Sequence, residues 1–179
     1  MPLRHGDITT LKTERTVLRA LALADFEASA AMWADEVVTR YIAPRPFTRE
    51  ESWARFRQKV GQWPLLGFGF WAVTDRTTGA LIGEAGFAEN RRAVVPSFEG
   101  EPEAGWVFAP SVHGKGIATE VMLRIVAWAD ENITAKTTVC MFDPAHVTSL
   151  HVAEKVGYVV RGNAMFRDER VLVMERGRR

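Results

Sequence analysis

Residues 113–120, HGKGIATE, hold the densest chemical signal in the chain: they follow a strand-like run at 103–109 and Pro110, and they open a helical pattern. A helix start leaves backbone N–H groups without intrahelical acceptors and carries the positive end of the helix dipole. Gly114 and Gly116 remove the side chains that would keep a phosphate away from those amides, so the segment is predicted to bind a pyrophosphate. The two commonest nucleotide fingerprints do not fit: G-x-G-x-x-G needs glycine where Thr119 stands, and G-x-x-x-x-G-K-[ST] is missing. Other reactive side chains have plainer readings. Cys140 lies in TTVCMF, a buried-strand pattern that suits an inert thiol, and as the one cysteine it excludes an internal disulfide and a multi-cysteine zinc site. His5 and His151 have no partners at metal-ligand spacing.

These residues need elements to position them. TVLRA at 16–20 alternates as a short strand, and Asp25 stands as N-cap of a helix carrying Phe26, Ala30, Trp33 and Val37 on one stripe. Thr48 and Glu51 form a capping box ahead of Trp53, Phe56, Val60 and Trp63, which predicts a second helix. The runs 68–74 and 80–88, with turn chemistry between them, predict a hairpin; 89–102 is a long loop, and 103–109 a third strand. From 114 to 131, Ile117, Val121, Ile125 and Trp128, with Ala118, Met122, Val126 and Ala129 beside them, make an apolar face too broad for a surface helix. A strand at 137–142, a helix at 147–156 and strands at 158–160 and 170–174 complete a mixed α/β order. Trp33, Trp53, Trp63 and Trp128 recur at helical spacing and read as core.

The chain has 179 residues, 47% hydrophobic and 25% charged, which suits one domain spanning 1–179 with a substantial core. With 23 Lys+Arg against 22 Asp+Glu the net charge is +1, too small a field to grip nucleic acid or an anionic membrane. The longest nearly apolar stretch, 63–73, is about half of what a spanning helix needs and is broken by Pro64, Gly67 and Gly69. MPLRHGDITT has no apolar run of a secretory signal, and the expected location is the cytoplasm. The final RGRR reads as a solvated basic tail.

Four ordered segments resemble the GNAT acetyltransferase family. The pattern [RQ]-x-x-G-x-[GA] after a strand is that family's acetyl-coenzyme A pyrophosphate loop, here His113-Gly114-Lys115-Gly116-Ile117-Ala118, and GKGIATE is similar to the RimJ/RimL branch. LKTERTVLRA (11–20) is similar to that branch's opening, ALIGEAGF to its third strand, and SLHVAEKVGY (149–158) to its S-x-x-x-x-E-K-x-G-[FY] segment. The resemblance implies an α/β GNAT fold, a mixed and mostly antiparallel sheet with a central splay, flanked by helices. It implies acetyl-CoA as cosubstrate, direct attack by the amine, and neither a metal nor a covalent acyl-enzyme. Backbone groups of Phe108 and Ala109 would pair with pantetheine in the splay, and the amides from Gly114 to Ala118 would hold the pyrophosphate, with Lys115 and Thr119 adding charge or hydrogen bonds.

Acyl transfer from a thioester to an amine needs a neutral amine, donors for the developing oxyanion and a proton for the departing thiolate. The resemblance gives the amine's proton to Glu103, with Glu84 as second candidate, although Glu84 reads first as a solvent-facing strand residue. Where many GNAT enzymes place an acidic Tyr this chain has Ala153; the RimJ/RimL branch instead resembles N-x-x-S at this helix start, with Ser149 in the Ser position near the sulfur. His146 replaces the Asn, the usual cofactor contact, and the helix dipole favours its neutral form. The implied function is N-acetylation of a primary amine, a protein N-terminal α-amine first, with a small amine or aminoglycoside, or a non-catalytic acyl-CoA sensor, as alternatives. The acceptor would meet 24–63 and 89–102, where Glu84, Glu89, Glu99, Glu101 and Glu103 suit either a cationic acceptor or an ordinary solvated loop. Monomer and homodimer both fit.

Overall fold

Thr48 accepts from the Glu51 amide while the Glu51 carboxylate accepts from the Thr48 amide, the reciprocal cap that starts the longest helix, and Gly67 in the left-handed conformation ends it. Around that helix the computed structural model describes residues 8–179, so His5 and the first residues of the N-terminal stretch lie outside the described residues. The elements are β1 (Leu11–Lys12), β2 (Thr16–Arg19), α1 (Phe26–Trp33), α2 (Glu36–Thr39), α3 (Arg49–Leu66), β3 (Phe70–Asp75), β4 (Leu81–Ala88), β5 (Val94–Val95), β6 (Glu103–Phe108), α4 (Ile117–Asn132), β7 (Thr137–Phe142), α5 (Val147–Lys155), β8 (Val159–Phe166) and β9 (Glu169–Gly177).

The strands form one mixed sheet in the order β1-β2-β3-β4-β6-β7-β9-β8-β5. Every pairing is antiparallel except β6 with β7, and that parallel pair is joined at a single register position, Glu103 with Val139. Beyond it the two strands diverge. Alternation sends Ala104 and Phe108 of β6, Trp71 and Val73 of β3 and Cys140 of β7 into one core with the broad face of α4 and with Val152 and Ala153 of α5. Trp63, Trp71 and Trp128 meet edge to face inside it, at centroid separations of 4.6, 5.6 and 5.0 Å. The opposite face takes α1 and most of α3, through Phe26, Ala30 and Phe56 on Ala72 and through Met32, Trp33 and Val38 on Val107.

Several boundaries differ from the sequence expectations for physical reasons. Asp25 stands at the N-cap of α1 as expected, but its side chain makes no cap bond there: the carboxylate is drawn backward, to the Ala22 amide and to both Nη atoms of Arg19 at 2.7 Å. The stripe from Phe26 to Val37 is broken in two, because the Asp35 side chain accepts from the Val37 amide and starts α2 afresh. The glycine-rich segment stays outside α4, which begins at Ile117. The loop 89–102 contributes β5 to the far sheet edge. The last two strands are a long hairpin whose turn residues, Arg167 and Asp168, both have positive φ, a turn chemistry without the usual glycine.

Candidate active site

Gly114 and Gly116 both have left-handed backbone, with φ of 71° and 76°, and Gly116 is the residue before α4. The first helical bond runs from the Glu120 amide to the Gly116 carbonyl, so the amides of Ile117, Ala118 and Thr119 have no acceptor within the helix. No atom lies within 4 Å of where a Gly114 side chain would begin, so this approach to the amides is open. The loop is tied from outside its own segment: Arg15, in the turn between β1 and β2, donates to the Lys115 carbonyl at 2.8 Å and to Glu120 at 2.7 Å. Lys115 itself is exposed. These features fit a pyrophosphate.

The strand feeding this loop has a fixed phase. The Ala109 amide donates to Ile82 of β4 at 2.9 Å and its carbonyl accepts from Val112 at 3.1 Å, so both Ala109 groups are engaged. In an antiparallel ladder alternate residues turn the same way, so Gly105 and Val107 also face β4, whereas Trp106 and Phe108 turn their backbone toward the gap beside β7. The Phe108 carbonyl meets His113 Nε2 at 2.8 Å. Trp106 and Phe142, from the two diverging strands, bring their rings to 5.3 Å.

At the start of α5, His146 Nε2 and Ser149 Oγ are 2.8 Å apart, and Ser149 is buried. The other ring nitrogen, Nδ1, is buried without a hydrogen-bond partner among the described residues. Tyr41, from the turn after α2, stacks on the same ring at 4.6 Å with the planes 20° apart. Burial, together with the nearby His113, holds the His146 pKa below its ordinary 6.5 against the pull of Asp143. A neutral imidazole in contact with a hydroxyl can pass a proton through it, and an orphaned buried ring nitrogen fits an incoming polar ligand. Ala153, one turn further on, is fully buried, and burial lifts the Cys140 thiol well above its usual range, as an inert thiol requires.

The carboxylates fall elsewhere. Glu103 begins β6, five residues and thus about 17 Å along the strand from Phe108, beyond which lies the glycine loop. Its Oε2 accepts from Arg92 Nε and Asn90 Nδ2, each at 2.8 Å. Glu84 is not solvent-facing: its strand is covered by α1 and α3, and the residue is fully buried. It accepts from Ser29 at 2.6 Å and from Trp33 at 3.1 Å and pairs with Lys59. Burial opposes its charge, but Lys59 and these donors outweigh that and hold its pKa below the usual carboxylate range. The expected acidic cluster is largely neutralised, since Glu84, Glu89, Glu101 and Glu103 each have a basic partner.

The family profile of the acetyltransferase (GNAT) domain matches residues 15–159, which take in the splayed strand pair, the glycine loop and the start of α4. The chain belongs to the GNAT acetyltransferase family. It is similar to a GNAT-family acetyltransferase structure from Bordetella pertussis, 29% identical with a TM-score of 0.82, over 94% of this chain and 99% of that one. An acetyltransferase structure from Agrobacterium tumefaciens is also 29% identical, with a TM-score of 0.81 over 94% of each chain. Among curated proteins, the uncharacterized N-acetyltransferase p20 of Bacillus licheniformis is 23% identical over 154 residues, 86% of this chain and 84% of that protein.

The protein is an acetyl-CoA-dependent acyltransferase, and three residues beyond the expected set lie against its candidate site. Arg15, Trp106 and Tyr41 all touch the site from outside the glycine segment. Trp106 follows from strand phase, which only the Ala109–Ile82 bond fixes, and Tyr41 meets His146 across 105 residues of chain, a contact no local pattern encodes. Among the described residues no cluster of three metal-ligating side chains is found, and no helix is long and apolar enough to cross a membrane.

Proposed function

We propose that this acetyltransferase acetylates an α-amine at a polypeptide N-terminus, with Ser149 as the proton donor and Glu103 as the proton acceptor. The observation that carries the reading is the His146–Ser149 pair, at 2.8 Å with Nδ1 left unpartnered, on the helix that flanks the gap between β6 and β7. Acetyl-CoA supplies the acyl group as a thioester. The amides from Ile117 to Thr119, with His113 and Lys115 beside them, hold its pyrophosphate, and the Trp106 backbone and the Phe108 amide face the pantetheine; the Phe108 carbonyl, held by His113, and both Ala109 groups are already engaged. His146 Nδ1 gives or takes one hydrogen bond with the cofactor.

Glu103, through water, takes the proton from the ammonium so that the nitrogen lone pair can form the new C–N bond. The C–S bond breaks, the thiolate sulfur takes the Ser149 hydroxyl proton, and the second proton that the newly acylated nitrogen must lose passes through water and His146 to restore the Ser149 hydroxyl. The α-amine preference rests on the RimJ/RimL-like segments at 11–20, 113–120 and 149–158. Release of CoA is measured with peptides beginning in Ser, Ala and Met beside polyamines and aminoglycosides. Turnover confined to the peptides supports the reading, turnover confined to the polyamines or aminoglycosides replaces the acceptor, and acetyl-CoA binding without turnover on any amine makes the protein a sensor.

A further inference from the structure

Arg55 of α3 sets its guanidinium against two aromatic rings that meet edge to face, its Cζ 4.3 Å from the Trp33 centroid and 4.6 Å from that of Phe47. Among the described residues no hydrogen bond or ion pair reaches it, and its Nε is buried without a partner. A guanidinium drawn partly out of water keeps its charge, and cation–π contact alone leaves the buried Nε–H unmet. Its surroundings compound this. Burial disfavours the charge most, and Arg92 and Arg167 add repulsion that Glu84 only partly offsets. Glu84 cannot serve as the missing partner, because Ser29, Trp33 and Lys59 occupy its oxygens.

The three arginines come from three separate segments: α3, the loop before β6 and the turn between β8 and β9. Arg92 and Arg167 both lie over the Phe166 ring, at 5.3 and 5.0 Å, and Arg92 also holds Glu103. Trp33, under Arg55, packs with Val107 on the face of the sheet opposite α4 and α5. A cofactor seated on the α4 loop leaves this opposite face for the acceptor, and there the carboxylates carry their own cations while the half-buried Arg55 has no anion among the described residues.

We propose that the acceptor amine carries an anionic group and that the Arg55 guanidinium binds that group. This rests on the transferase reading above and narrows its substrate class to amines with a carboxylate or similar oxyanion near the reacting nitrogen, either a free amino acid or a peptide with an acidic residue behind its N-terminus. Planar bidentate pairing is what a guanidinium offers a carboxylate and an ammonium does not.

The test compares CoA release on acceptors matched in size and differing in charge: glutamate against glutamine amide, and Ser-Glu-Ala against Ser-Gln-Ala, both with amidated C-termini. The native protein, Arg55→Lys and Arg55→Met are each run with melting temperatures recorded. The expected result is at least a tenfold higher kcat/KM for the charged member of one pair, and the pair identifies the source of the anion. Arg55→Met should remove the preference through KM for the acceptor, Arg55→Lys should retain part of it, and KM for acetyl-CoA should stay constant. Equal rates within both pairs, or a preference that survives in folded Arg55→Met, would overturn the proposal. If no acceptor turns over, the transferase reading has failed by itself, and inorganic sulfate then decides the anion site. A thermal shift in sulfate that Arg55→Lys weakens and Arg55→Met loses sustains the site, and a shift that is missing or indifferent to Arg55 refutes it.

Discussion

Arg15 and Glu120 are joined twice, from the Arg15 amide at 2.9 Å and from its Nε at 2.7 Å, and a third Arg15 donor holds the Lys115 carbonyl. The turn between the first two strands thereby sets the shape of a loop 100 residues further on. Because the pair is partly exposed, its loss is expected to cost little stability and mainly to loosen the amide cluster. Arg15→Ala and Glu120→Gln should each weaken acetyl-CoA binding by about 0.5 to 1.5 kcal/mol, roughly two- to tenfold in Kd, by titration calorimetry. Unchanged affinity in both variants would show that the loop keeps its shape unaided.

Gly116 is constrained by conformation rather than by space. A side chain there would begin 3.7 Å from Arg15, an ordinary contact, but at a φ of 76° that L-residues rarely adopt. Asn tolerates this region and a β-branched residue does not. Gly116→Val is expected to lose most acetyl-CoA affinity in a folded protein, with Gly116→Asn intermediate. Equal losses would point to simple obstruction instead.

For the His146–Ser149 pair, His146→Asn should keep most activity, whereas His146→Ala should weaken acetyl-CoA binding by about 0.5 to 1.5 kcal/mol. If the two share the proton, the double Ala variant will be far worse in kcat than the single losses combined. The depressed pKa of His146 has a defined sign: the unfolded chain takes up a proton near pH 6.5 and the folded one only at lower pH. This contribution to stability is therefore complete above about pH 6.5 and shrinks as pH falls toward the folded value. A melting-temperature gap between the native protein and His146→Asn that does not vary with pH across this window would contradict the burial argument.

Glu103→Gln should lower kcat by roughly 10²- to 10⁴-fold if the residue takes the amine's proton, and should abolish the acidic limb of the rate profile while KM for acetyl-CoA barely moves. Persistence of that limb at full rate would reduce Glu103 to an anchor for Arg92 and Asn90.

Glu84→Gln leaves Lys59 buried without its anion and is expected to destabilise the fold by about 3 to 5 kcal/mol in urea denaturation. Replacing the pair together, Glu84→Leu with Lys59→Met, should cost much less. A large loss in the double variant would mean that the Ser29 and Trp33 bonds to Glu84 matter more than its charge.

The parts of this molecule legible in the sequence are those written locally. The capping box at Thr48 and Glu51, the broad face of α4 and the glycines ahead of it follow from spacing within a few residues. Asp25 and Glu84 were misread for one shared reason: each side chain answers to a group on another element, Arg19 for one and Lys59 with Ser29 and Trp33 for the other. Alternation along β4 shows which residues share a face, but only the placement of α1 and α3 shows that this face is covered. Of the arginines that neutralise the loop acids, Arg161 was equally out of reach, 60 residues from Glu101, whereas Arg91 and Arg92 lie within 11 residues of Glu89 and Glu103.

The single pairing of β6 with β7 divides the molecule unequally. On the α4 face one continuous core runs from Trp71 to Met174, across both parts of the sheet. On the other face the apolar clusters stop at the divide: Val139, Val171 and Val173 pack with Val94 and Phe98, while Val107 packs with Met32 and Trp33. The apolar packing therefore joins the two half-sheets along one side only, like the covers of a book bound at α4, and the link across the other side is polar, with Arg92 between Glu103 of β6 and Phe166 of β8. Flexing about that spine would widen or narrow the opposite face, where Arg55 and Glu103 lie, without exposing the core that keeps the chain folded.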